Sequence, residues 1–107
     1  MNIEYLPIGT VVRLNRAEDI FLIIGLAVRN ADGETRDYLA VRYPVGALST
    51  ANYYFFNHNM IETIIHQGYD SVDHESYKNL LNVVLSERYH KDKTDNKVGE
   101  PYGKLEN

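Results

Sequence analysis

The chain of 107 residues has no cysteine, no tryptophan and only three prolines. Without cysteine there is no disulfide, no thiolate metal site and no cysteine nucleophile. That absence suits a reducing compartment. Long apolar runs are missing as well: residues 20–28 form the longest, far short of the roughly 20 residues a membrane helix needs. The first residues carry Glu4 and no basic cluster ahead of an apolar stretch, so the sequence predicts no export signal and a soluble, cytoplasmic protein. Positive charge is scarce too, with 11 basic residues against 15 acidic ones and a formal net charge of −4. This balance works against nucleic-acid binding, which lysines and arginines drive by displacing counterions from phosphates.

Signatures of catalysis are equally thin. Gly9, Gly25, Gly33 and Gly46 stand singly, so they build no phosphate-cradling loop. Ser49, Ser71, Ser76 and Ser86 include no Gly-x-Ser-x-Gly elbow. His58 and His66 lie eight residues apart with no carboxylate at ligand spacing, and no His-Glu-x-x-His pattern occurs. His66 and His90 fall near expected helix C-termini, where a protonated imidazole suits the dipole. Asp70, Asp73 and Glu75 cluster where a helix should begin, a place where acids act as ordinary capping residues. The sequence therefore predicts no catalytic residue set, no metal and no cofactor.

What the chain does have is tyrosine, nine in all. A large apolar ring with a polar tip suits half-buried positions and protein interfaces. The first half of the chain reads as strands. Residues 10–15 are rich in β-branched side chains and follow the breakers Pro7 and Gly9. Residues 19–28 are apolar without alternation, as in a strand covered on both faces. Asp32-Gly33 supplies a tight turn, residues 36–43 alternate, and Pro44 ends that strand. Tyr53-Tyr54-Phe55-Phe56 gives a fourth strand and completes a meander.

The second half reads as helical. Asn57 or Asn59 can cap a short helix with Met60, Ile61, Ile64 and Ile65 on one face, ended by Gly68. A longer helix starts at Asp73, with Tyr77, Leu80, Leu81, Val84, Leu85 and Tyr89 forming its apolar stripe. Residues 91–107 are too polar to offset the entropy of ordering and read as a disordered tail. The expected architecture is α+β: one domain over residues 1–90, a curved antiparallel meander of about four strands or a small open barrel, packed with two C-terminal helices. Along Tyr53 to Phe56 the side chains alternate. The second face is then either covered by the helices or left exposed as an aromatic platform with Tyr38, Tyr43 and one of Tyr53 or Tyr54.

Several segments resemble domain-of-unknown-function family 4176 of Gram-positive bacteria. They are Leu6-Pro7-Ile8-Gly9-Thr10-Val11-Val12, Ile23-Ile24-Gly25, Asp37-Tyr38, Tyr43-Pro44-Val45-Gly46, Phe55-Phe56-Asn57-His58 and Gly68-Tyr69. The chain departs from the family pattern at residues 15–19, where relatives usually carry glycines and lysines, and at Ala40, where a cysteine is common. The resemblance implies an intracellular accessory protein encoded beside type VII secretion systems: an adaptor or targeting chaperone for a secreted toxin with an LXG-type export domain. No family motif marks a catalytic residue.

The expected partner is thus a protein, with Tyr43, Pro44, Tyr54 and His58 as the contact region, because the loop after Pro44 and the junction at Asn57 should share one rim. Two alternatives are an immunity or regulatory protein that binds a toxin's catalytic domain, and a nucleic-acid-binding small barrel.

Overall fold

The computed structural model describes the backbone of residues 3–95 and the side chains of residues 3–85. Five strands come first: β1 (Val11–Leu14), β2 (Ile20–Arg29), β3 (Thr35–Tyr43), β4 (Tyr54–Phe56) and β5 (Ile61–His66). One helix, α1 (Val72–Asp95), follows them. The strands form one antiparallel sheet in the order β4-β3-β2-β1-β5. The α+β class and the antiparallel sheet are as the sequence predicts, but β5 returns to pair with β1 and the described residues hold five strands and one helix.

The correction falls at residues 57–66. The expected short helix is a 3₁₀ turn at His58–Met60 followed by β5. Met60, Ile61, Ile64 and Ile65 have helical spacing, yet four of the six residues of β5 are β-branched and favour a pleated edge. The consequence for shape is large. β4 and β5 sit at opposite ends of the sheet order, but only residues 57–60 separate them. Flat, a five-stranded sheet would hold its edges about 19 Å apart. A five-step link reaches about 18 Å only when fully extended, and this one contains a 3₁₀ turn. The open sheet must therefore curl strongly. Bulges in β2 between Ile23 and Gly25, and in the β1–β5 pairing, add the local twist.

The registers sort the side chains into two faces. Inside lie Phe56, Tyr38 and Leu26 in one row, Tyr54, Ala40 and Ile23 in the next, then Arg42, Phe21, Val12 and Ile64. The core is built on this face from Val12, Phe21, Ile23, Leu26, Tyr38, Ala40 and Phe56, with Tyr5 joining from the N-terminal segment. The Phe21, Tyr38 and Phe56 rings lie 5.5–6.2 Å apart, and Tyr5 meets Tyr38 edge-on.

The helix begins at a serine cap rather than at Asp73: Ser71 Oγ accepts the N–H of His74, and Asp73 and Glu75 follow in the first turn. It docks with only part of its apolar stripe. Leu81 and Leu85 reach the core, whereas Tyr77 and Leu80 remain exposed. Polar groups tie the same side to the N-terminal segment. Asn82 accepts the N–H of Ile3 and donates to its carbonyl, and His74 Nε2 donates to the Tyr5 carbonyl. The helix extends into the segment read as a tail, through Asp95; residues 96–107 lie outside the described residues.

Candidate functional site

Two polar clusters pin the curled sheet shut. At the first, Thr10 is fully buried; its hydroxyl donates to the Pro7 carbonyl and accepts the N–H of Gly68. Gly9 makes the turn with a φ of +96°, which favours glycine, and gives its N–H to Ile23. Gly68 packs directly on this turn, so close that an added Cβ would meet the Gly9 carbonyl carbon and the Thr10 nitrogen at 2.9 Å.

At the second cluster, the buried Tyr38 hydroxyl accepts the N–H of Leu6 at 2.9 Å and lies 2.7 Å from His58 Nδ1. The phenol oxygen can accept from one group and donate to another, so it links the N-terminal segment to the start of the 3₁₀ turn. Asp37 accepts the N–H of His58, and Asn57 accepts the N–H of Asp37. Burial pushes the Tyr38 phenol up to about 12, aided by the negative charge of Asp37 and opposed by the Leu6 hydrogen bond. Burial raises Tyr5 to about 12 as well.

The four expected contact residues do not share one rim. Tyr43 ends β3 and the cis-linked Pro44 follows it, while His58 sits beside Asp37 near the strand's other end, about 20 Å along it. Tyr54 packs its ring 5.1 Å from Phe21 on the inner side of the curled sheet. Tyr43 points to the outer face, 54% exposed. Tyr38, a candidate for an exposed platform, is wholly buried.

The outer face is the feature that sequence reading left undecided. Its rows are Phe55, Leu39 and Gly25; then Val41, Leu22, Val11 and His66; then Tyr43, Ile20, Arg13 and Thr63. Val41 at the centre is buried, but Val11, Ile20, Leu22, Leu39 and Phe55 around it are half-buried. No second helix exists among the described residues to cover them, and α1 docks on the inner cluster. A contiguous aliphatic and aromatic sheet face of this kind is an ordinary protein-docking surface.

Two further groupings bear on chemistry. Asp70, His74 and Glu75 bring one ligand atom each to within 4.8 Å of one another. Asp70 lies just before α1 and His74 and Glu75 on its first turn, where the helix dipole disfavours a cation, and Glu75 is already paired with Lys78 at 3.1 Å. Lys78 also holds Glu4 at 2.6 Å, which keeps the Glu4 carboxyl below its ordinary range and the lysine above its own. A groove of about 480 Å³ runs beside β5, lined by Glu4, Leu6, His58, Ile61, Glu62 and Ile64. No helix of the described residues is long and apolar enough to cross a membrane.

Neither a curated protein nor a solved structure matches the chain. A family model does, over residues 5–77, a span that takes in both polar clusters, the whole sheet and the first turns of α1. The chain thus belongs to the family described as domain of unknown function DUF4176.

Proposed function

We propose that this protein is a non-catalytic adaptor that binds one protein client, a type VII-secreted toxin with an LXG-type domain, in the cytoplasm. The observation that carries the reading is the outer sheet face, where half-buried Leu22, Leu39 and Phe55 surround Val41 with no second helix among the described residues to cover them. Burying an exposed aliphatic or aromatic side chain against a partner contributes about 1.5–3 kcal/mol before the costs of association. Tyr43, at the rim of this face, is the natural anchor, since tyrosine adds a polar tip to its apolar area. The choice of this client is supported by the resemblance of the sequence to accessory proteins of type VII secretion loci.

The test is co-expression with the LXG-type protein of the same locus, followed by size-exclusion chromatography. A stoichiometric complex is expected, lost in Leu22→Lys/Phe55→Lys but retained when the client is cut to its export domain. A complex that needs the toxin's catalytic domain instead would make the protein an immunity factor. A complex that survives the double lysine variant would remove the outer face from the account.

A further inference from the structure

β5 is an edge strand. It pairs with β1 on one side, so the peptide groups along its other side point away from the sheet. Five of its six residues are exposed, Ile64 and Ile65 at 47% and 45% among them. β5 carries neither the lysine nor the proline that blunt many natural edges, and its irregularities lie on the side paired with β1. The groove beside it has an aliphatic floor of Leu6, Ile61 and Ile64 and two carboxylates, Glu4 and Glu62, on its lining. Lys78 is shared between Glu4 and Glu75, and no ion pair reaches Glu62 among the described residues.

From these features we infer that β5 and its groove capture an extended segment of the partner, one alternating aliphatic residues with lysine or arginine, by adding it to the sheet as a sixth strand. The inference rests on the protein-binding reading above and specifies the chemistry of one contact. Main-chain pairing along β5 supplies affinity, and alternate side chains of the added strand face the groove. Because side chains alternate, a single set faces the groove: its lysines or arginines, whose methylene stems lie along Ile61 and Ile64 and whose charges meet Glu62 and Glu4. A second copy of this chain is the poorer occupant, because each copy carries a net charge of −4 and would bring another Glu62 to the same edge.

The experiment is fluorescence anisotropy of the full chain with a labelled nine-residue peptide of alternating lysine and valine. Two controls accompany it: glutamate replacing every lysine, and N-methylation of alternate amides along one edge. Saturable binding is expected, at least tenfold weaker for each control and at least threefold weaker for Glu62→Lys, an exposed substitution that leaves the core alone. Equal binding of the lysine and glutamate peptides, or of the N-methylated one, would overturn the proposal. So would a dimer in sedimentation velocity that Glu62→Lys alters, since the edge would then belong to a second copy. If the peptide fails to bind while the client complex still forms and still depends on Leu22 and Phe55, the edge assignment falls and the adaptor reading stands.

Discussion

The two faces of this sheet are both apolar, yet among the described residues only the inner one packs against the N-terminal segment and α1. The inner face holds Phe56 and Tyr38 fully buried under the N-terminal segment and α1. The outer face carries side chains of the same kinds, Phe55 and Leu39, one residue further along the same strands, and leaves them half-buried. The polar locks favour the inner side: Thr10 with Gly68, and Tyr38 with Leu6 and His58, close the rim of the buried core. Most of the segments that resemble the family therefore build architecture. Side chains with nothing structural to do are the better pointers to a partner, and on this sheet they lie outside.

The sharpest way to break that comparison is to truncate adjacent rings. Phe56→Ala removes a ring with 1% exposure that packs on Tyr38, and should cost about 3–5 kcal/mol in urea unfolding. Phe55→Ala, on the other face of the same strand, should cost about 1 kcal/mol or less and weaken client binding instead. Equal losses of stability would mean that the outer face is covered after all.

Next in size is the lock at Gly68. A methyl group there meets three main-chain positions, Ile8, Gly9 and Thr10, none of which can swing aside as a side chain would. Gly68→Ala should destabilise by about 3 kcal/mol, with the largest loss of amide protection at Thr10 and Ile23. A change under 1 kcal/mol would show that the turn at residues 7–10 yields, and that this end of the sheet is not held by close packing.

The lock at Tyr38 should cost less and leave a pH signature. Tyr38→Phe strands the N–H of Leu6 and frees His58, for a loss of about 1–3 kcal/mol. Both Tyr5 and Tyr38 keep their protons to about pH 12 when folded, but release them near 10 when unfolded. Between those values the unfolded state binds fewer protons, so stability is full below pH 10 and falls as the pH rises towards 12. Denaturant midpoints measured from pH 8 to 11 should decline only in the upper part, and less steeply in Tyr38→Phe. A flat profile would contradict the burial of the two phenols.

How much of this was legible in the sequence depends on the range of the interaction. β1, β2 and β3 follow from local β-branched content and from the turn at residues 30–34, although Asn30 shares that work: its side chain accepts the N–H groups of Asp32 and Glu34. β5 was missed because Met60, Ile61, Ile64 and Ile65 also fit a helical face; the β-branched run Thr63-Ile64-Ile65 was the signal against a helix. The bond from Tyr38 to His58 and the contact of Thr10 with Gly68 join residues 20 and 58 positions apart, and no local pattern encodes them. Alternation along Tyr53 to Phe56 leaves open which rings face the core; the registers put Tyr54 and Phe56 on the inner face and Phe55 on the outer one, with Tyr43.

The smallest expected effect tests the hairpin at residues 15–19, the stretch where the sequence departs from its family. Arg16 has a φ of +64° there, a conformation that costs a side-chain-bearing residue about 1–2 kcal/mol. Its neighbours hold it in place: Ala17 gives its N–H to Leu14, and Asn15 gives its own to Met60, which ties the turn to the start of β5. Arg16→Gly relieves the clash but enlarges the freedom of the unfolded chain, an offset of about 0.4–1 kcal/mol. The net should be a gain of about 0.5 kcal/mol and a rise of a few degrees in Tm. The turn borders Tyr43 through its pair with Ile20 but is remote from Leu39 and Phe55, so client affinity should not change if those two side chains carry the docking. A gain in stability accompanied by a loss of the client would move the contact from that face to the hairpin.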